Sequence, residues 1–451
     1  MADIEAGNIL NLGGMIMKSG TANGFFKLGG LHLKKRLRRR FFKPAKQRME
    51  IALAQVYRGL LGATGRVRFI GITGSCGKTT TAELLAAILS REGRVREAIG
   101  ANTTDYIARR ILTVAPWHRF CVSEVSAHEL GVIVRSAKVL RPDVAVVTNI
   151  GADHYGEYRS LEATAAEKVK LVEALGPRGI AVLNADDPYV CGMGQRTRGR
   201  VITFGLSEQA MVRGENVSCA WPRRLSLDVC REGERIHVQT QLLGEHWAHA
   251  VLAAMAAAIA AGVPAERAAR AIGAVCPIPS RMSEHATPDG VTFVRDDFKA
   301  PFWTVAACAD VLRKANAKRK IVAIGSVSDT PKSHSERQRA IIRQVQDVVD
   351  KIVFIGSYSR SALKARSGPN DDRIMAFDTL YEFDMFLREY LQAGDFVLLK
   401  GSRRSDHFDR IVLSRTNNIA CWRQACDRDR FCHSCPHRHT PAGPGDPMPV
   451  H

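Results

Sequence analysis

The run Phe69-Ile-Gly-Ile-Thr-Gly-Ser-Cys-Gly-Lys-Thr-Thr-Thr holds residues whose types and spacing suit phosphate chemistry. Gly74, Ser75, Cys76 and Gly77 let consecutive backbone N–H groups wrap an anion. A helix starting directly behind them adds its positive dipole end. Lys78 supplies a point charge, the Thr79 hydroxyl can bind Mg²⁺, and Thr80 extends the polar edge. The chemistry implied is nucleoside triphosphate binding. The strict G-x-x-x-x-G-K-[ST] spacing fails, because Ile72 stands five residues before Gly77.

Strands and helices must position these groups. Val67, Phe69, Ile70 and Ile72 make a short β-branched apolar run before the loop, and Leu84, Leu85, Ile88 and Leu89 place a helical stripe after it. Phe120 to Glu124 reads as an apolar strand ending in a carboxylate. Asp143 to Ile150 reads as a buried strand leading to His154. In a parallel sheet wound with helices, ligands gather at the carboxyl ends of strands, so Lys78, Thr79, Glu124 and His154 are expected to converge. Thr79 and Glu124 offer hard oxygens for Mg²⁺. A helix from Leu161 to Leu171 carries Lys168 and Lys170, which are two apart and cannot share a face.

The chain has 451 residues, too many for one ordinary core. The expected division is a basic N-terminal segment at 1–64, a central domain at 65–279, a second domain at 280–415, and a Cys/His-rich tail at 416–451. The fold class expected is α/β: a central P-loop domain with a mostly parallel sheet, followed by a Rossmann-like α/β domain. Lys and Arg number 65 against 45 Asp and Glu, a formal charge of +20, which points to anionic partners without choosing among them. Lys34-Lys-Arg-Leu-Arg-Arg-Arg40, interleaved with Leu and Phe, suits an anionic membrane surface, whereas no nucleic-acid recognition module accompanies it. No apolar run reaches the ~20 residues of a membrane span and the N-terminus lacks a signal-peptide pattern, so a cytoplasmic protein, peripheral to the membrane through that basic segment, is expected.

The loop Thr73-Gly74-Ser75-Cys76-Gly77-Lys78-Thr79-Thr80 resembles the variant phosphate loop of the Mur ligases, whose usual form is T-G-T-N-G-K-T, with Cys76 in place of Asn. Further motifs follow in family order: Thr148-Asn149 and Asp153-His154 with Lys168 fourteen residues on, Asn184-Ala-Asp-Asp-Pro188, and Gly244-Glu-His-Trp-Ala-His249. After them come Asp296-Asp-Phe-Lys-Ala-Pro301 and Lys400-Gly-Ser-Arg403, the latter as in the branch that adds D-alanyl-D-alanine. The resemblance implies an ATP-dependent carboxylate–amine ligase that forms an amide through an acyl phosphate, giving ADP and phosphate. It implies that His154 and a carbamylated Lys168 bind a second Mg²⁺, that His246 and Arg281 lie on the nucleotide, that Asp297 holds the ribose, and that Lys299 reaches the γ-phosphate. Trp247 and Ala250 replace family asparagines, and some 60 residues before the loop leave little room for the family's UDP-sugar domain. The acceptor carboxylate and the amine therefore stay open, and the alternative is a nucleotide-binding scaffold or ATPase that has lost ligation.

The tail gathers Cys421, Cys426, Cys432 and Cys435 into 15 residues, with His433, His437 and His439 nearby. Closely spaced thiols suit a Zn²⁺ site or an iron–sulfur cluster. Lying beyond the last motif, they are expected to form a local site that the ATP chemistry does not use. The other seven cysteines are scattered singly, which is no disulfide framework.

Overall fold

The computed structural model describes residues 43–152, 155–416, 419–424, 426 and 430–441. The basic run at 34–40 and His154 lie outside the described residues. Two compact units are distinguished, Met1–Ala52 and Leu53–His451, and the first is described only where the helix Lys43–Thr64 begins.

Within the second unit the strands form two sheets. The first has the order β2-β3-β1-β4-β5-β6-β7-β8-β9. β1 (Arg68–Thr73), β2 (Arg94–Ala98), β3 (His118–Glu124), β4 (Val144–Val147), β5 (Ile180–Asn184) and β6 (Arg200–Gly205) all run parallel. β4 is buried throughout and β1 in all but its first residue, as strands covered by helices on both faces must be. The helix Lys78–Ser90 leaves the loop from Gly77, whose φ of 77° is cheap only for glycine.

The strand–helix alternation expected as far as 279 stops at β6. β7 (Val212–Ser218), β8 (Ser226–Arg231) and β9 (Glu234–Gln239) form an antiparallel meander instead. Its residues alternate between buried and solvated sides, and Glu232-Gly233, both at positive φ, make the two-residue turn that suits a hairpin. The Ala-rich helix Ala248–Ala260 then crosses the core with nearly every side chain buried.

The second sheet has the order β10-β11-β15-β12-β13-β14. β11 (Thr292–Asp296), β12 (Arg319–Ile324), β13 (Lys351–Ile355), β14 (Ile374–Phe377) and β15 (Asp395–Lys400) run parallel, as expected of a Rossmann-like sheet. The edge strand β10 (Ser283–Ala286), antiparallel to β11, was not expected. One apolar cluster runs from Ile70 and Leu84 through the Ala-rich helix to Val294, Val322 and Leu398 of the second sheet. Polar contacts also join the two layers: Trp221 Nε1 donates to Glu284 at 2.9 Å and Lys314 pairs with Glu245. Among the described residues no helix is long and apolar enough to cross a membrane.

Candidate active site

The phosphate loop is held from behind by the end of β4. Ser75 N donates to Asn149 O at 2.9 Å and Cys76 N to Asn149 Oδ1 at 2.8 Å, while Thr148 Oγ1 donates to Cys76 O at 2.6 Å. Gly74 sits at φ 143°, and a Cβ there would lie 1.9 Å from Thr148 Oγ1, so the close approach requires glycine. Asn184 Nδ2 donates to Thr148 O at 2.8 Å, and Asp187 Oδ2 accepts from Ile150 N at 2.7 Å. The Asn184–Pro188 motif thus shapes the Thr148–Gly151 segment that braces the loop. Lys78 Nζ donates to Gly74 O at 2.5 Å, which folds its charge over the loop. The opening turn of the helix leaves N–H groups without intrahelical acceptors, and the buried hydroxyls of Thr73 and Thr80 have no protein partner among the described residues. Such a cradle fits an anionic oxygen cluster.

At the end of β3, Glu124 is 1% exposed, and its Oε1 accepts from Gly100 N at 3.1 Å. Burial pushes the nearby Glu83 carboxyl up, and Glu97 and Glu124 push it further. The local excess of negative charge is what a divalent cation would offset, so Thr79 and Glu124 fit Mg²⁺. On the helix Leu161–Glu173, Lys168 is 1% exposed, whereas Lys170 pairs with Glu173 at 2.8 Å on the surface. Only Lys168 points inward. Its neighbour Glu167 caps another helix, accepting from Gly131 N and Ile133 N at 3.0 Å each.

Residues that follow the first sheet meet this loop. Arg281 Nη2 donates to Thr79 Oγ1 at 2.9 Å, and its guanidinium lies 4.4 Å from the Phe298 ring centroid. Arg403 covers the same ring at 4.8 Å. Trp303 packs on the brace, since a Cβ on Gly151 would lie 3.0 Å from its ring, and its buried Nε1 has no partner among the described residues. Lys400, 1% exposed at the end of β15, pairs with Asp296. Burial raises the Cys76 thiol, opposed by Lys78, Arg281 and Lys400, so three cations face one loop. Burial holds His246 down to about 4, which keeps it neutral beside Asp296 and Lys400.

Two of the expected nucleotide residues are engaged within the protein. Asp297, expected on the ribose, is 0% exposed, with Arg295 Nη2 donating to its Oδ2 at 3.0 Å. Successive residues point to opposite sides of an extended chain, so Asp296 is the acid aimed at Lys400 and the loop, and Asp297 lies beneath. Lys299 pairs with Asp329 at 3.3 Å, and would have to leave it to reach a phosphate. Asp296, Lys400, Arg403 and Asn149 were missed as site residues, although the D-D and K-G-S-R motifs contain three of them.

In the tail, Cys421, Cys426, Cys432 and Cys435 line one small pocket beside His407, and none is in a disulfide. Phe431 lies 4.9 Å under Arg403, so the tail is seated against the loop-side arginines rather than standing apart from them.

Comparison with known proteins places this arrangement. The Mur ligase middle domain matches residues 72–258, and the Mur ligase glutamate ligase domain matches residues 280–403. A UDP-N-acetylmuramoyl-tripeptide–D-alanyl-D-alanine ligase of Mycobacterium tuberculosis is 32% identical over 246 residues, covering 52% of this chain. That match spans about half the relative's length, 47%. The Mycobacterium leprae ligase of the same name is 28% identical over 75% of this chain and 71% of its own length. Among solved structures, MurF from Acinetobacter baumannii superimposes with a TM-score of 0.72 at 24% identity, over 81% of this chain and 80% of that one. MurF ligase from Thermotoga maritima in complex with ADP gives 0.70 at 20% identity, over 82% of both chains. With both domain matches in order along a phosphate loop, its brace and a second parallel sheet, the chain belongs to the Mur ligase family.

Proposed function

We propose that this chain is an ATP-dependent acid–amino-acid ligase. A substrate carboxylate oxygen attacks the γ-phosphorus of ATP and the bond to ADP breaks. An amine nitrogen then attacks the acyl phosphate carbon, phosphate leaves with the bonding pair, and the amine gives up a proton. Such chemistry is mostly positioning and charge neutralisation. The observation that carries the reading is the phosphate loop with Lys78 folded over it and Arg281 reaching Thr79 from beyond the first sheet.

Lys78 and Arg281 would balance the charge of the transferring phosphoryl group, and Lys400, held by Asp296, would add a fixed positive field. Mg²⁺ at Thr79 and Glu124 would neutralise the triphosphate, and a second ion would draw on His154 and on Lys168 once a carbamate has replaced its ammonium charge with an anionic oxygen ligand. Trp303 and the Phe298 ring would exclude water that hydrolyses an acyl phosphate. A third, thiolate-ligated metal centre in the tail, zinc or an iron–sulfur cluster, would belong to the same reading and take no part in the bond-making steps. The names of the mycobacterial relatives make a UDP-muramoyl peptide and D-alanyl-D-alanine the first substrate pair to test. A cytoplasmic setting, with the basic sequence at 34–40 drawn by its charge to an anionic membrane surface, is part of the same proposal.

The test is ADP release with Mg²⁺-ATP and a panel of UDP-muramoyl peptides, amino acids and dipeptides, with product masses read alongside. Release that requires both an acid and an amine, with a product one water lighter than their sum, is expected. ADP release indifferent to any amine would return the chain to the ATPase or scaffold alternative.

A further inference from the structure

The described tail residues bury very little of their own. Ile419, Cys421 and Cys432 are its buried side chains, at 8%, 6% and 7% exposure, so two of the three are thiols. A segment with so small a core needs another source of folding energy, and thiolate–metal bonds supply it. All four tail cysteines line one pocket, and backbone bonds close it. Cys432 to Cys435 form a tight turn, Cys435 N donating to Cys432 O at 3.0 Å, and the N–H groups of Ala420 and Cys421 both reach Arg438 O at 3.1 Å. The first and last thiols are thereby tied into one knot. Arg410, 2% exposed, donates through Nε to Cys432 Sγ at 3.4 Å and through Nη1 to Arg423 O at 2.7 Å. Arg430 and Arg438 also line the pocket, so three arginines surround the four sulfurs.

A second observation points the same way. His407 Nδ1 lies 3.7 Å from Cys432 Sγ, and Asp409, 1% exposed, takes the Cys432 N–H on Oδ2 and leaves Oδ1 buried without a partner among the described residues. Among the described residues, these three offer ligand atoms within 4.8 Å of one another. Cys432 therefore stands between the four-thiol pocket and an acid–imidazole pair able to orient or complete a metal's coordination.

The tail also leads to the phosphate loop. Phe431, adjacent to Cys432, carries the Arg403 guanidinium at 4.9 Å; Arg403 lies 4.8 Å from Phe298, Arg281 lies 4.4 Å from the same ring, and Arg281 donates to Thr79. We propose that Cys421, Cys426, Cys432 and Cys435 bind a thiophilic metal centre, zinc or an iron–sulfur cluster, and that this centre fixes Phe431 under Arg403 and so tunes nucleotide binding at the phosphate loop. The coupling rests on the loop being the nucleotide site; the metal itself does not.

The experiment uses the full chain, purified anaerobically without chelators. Zinc, iron and acid-labile sulfide are quantified, and MgADP affinity is measured by calorimetry. About one zinc per chain, or several irons with matching sulfide and visible absorbance, is expected. Cys435→Ser should lose the metal and weaken MgADP about fivefold or more, while Cys191→Ser, at an exposed thiol outside the tail, changes neither. Since Cys435→Ser can fail to fold, Phe431→Ala is the second variant: it should keep the metal, melt cooperatively, and weaken MgADP by a similar factor. Protein that holds neither zinc nor iron in stoichiometric amount overturns the site. Unchanged MgADP affinity in metal-free Cys435→Ser, or in metal-loaded Phe431→Ala, overturns the coupling, as does wild-type protein that binds metal but no MgADP. The last result would also sink the nucleotide reading while leaving the site standing.

Discussion

Replacing Gly74 by Ala tests the phosphate loop at its most constrained point. The new Cβ would lie 1.9 Å from Thr148 Oγ1 and 3.1 Å from Thr148 N, with the backbone at φ 143°. The hydroxyl can rotate away, but it then gives up its 2.6 Å bond to Cys76 O, worth roughly 1 kcal/mol net. A non-glycine residue in that backbone region adds roughly 1–3 kcal/mol. The sum, about 2–4 kcal/mol, must appear as lost stability if the loop keeps its shape, or as lost affinity if the loop moves. Entirely in affinity it corresponds to roughly 30- to 700-fold. Calorimetric melting and MgATP titration of the same protein together account for both shares. Adding Thr148→Ala removes the side-chain collision and leaves the backbone strain, so the double variant should recover only part of the deficit, and the cycle isolates the contact. A Gly74→Ala protein with wild-type melting and wild-type affinity would refute the loop geometry. Full recovery in the double variant would show that the backbone conformation costs nothing.

Lys78→Ala removes the charge folded over the loop and should lower the rate of ADP formation on the order of 10²–10³-fold; undiminished turnover would remove the nucleotide assignment. Lys168→Ala should be nearly inactive and partly rescued by formate, whereas Lys170→Ala loses only a surface pair of ~0–1 kcal/mol and should keep its activity. Equal losses at both positions would mean that the inward face has no special role. His246 and His285 are both held down to about 4 by burial, against 6.5 unfolded, so between those values the unfolded chain binds more protons. Stability is therefore lost as pH falls through that window. The urea midpoint should drop from neutrality to about pH 5, and drop less in His285→Gln; identical drops would rule out that histidine.

The loop, the helix behind it and the strand ends carrying Glu124 and Thr148 were legible because each rests on local pattern: glycines before a lysine, apolar runs of strand length, a single helical stripe. Periodicity narrowed the inward lysine to one of two, the family spacing after His154 singled out Lys168, and its burial agrees. The meander at β7–β9 was not legible because its half-buried alternation is diluted by Arg, Glu and Asn on the solvated side, and because parallel alternation had held for the six preceding strands. The pairing of Asp296 with Lys400 was not legible for a different reason. A strand end fixes which of two neighbouring carboxylates faces the site only once its register to Lys400 is known, and that pairing joins residues 104 positions apart. The seating of Phe431 under Arg403 is equally non-local, and no motif spans it.

The excess of positive charge gains its meaning at this point. A formal +20 spread over a chain says little about a partner, but around Cys76 the cations Lys78, Arg281 and Lys400 come from the loop helix, the crossing segment and the end of β15, with Asp296 offsetting one of them. Like charges brought together by packing repel unless an anion joins them, and the repulsion here acts between the phosphate loop and the residues of the second sheet. A triphosphate placed among them converts each repulsive pair into two attractive ones. Nucleotide binding and the contact across the Thr79–Arg281 seam must then favour each other, because whatever holds the seam closed also concentrates the charge that the triphosphate neutralises.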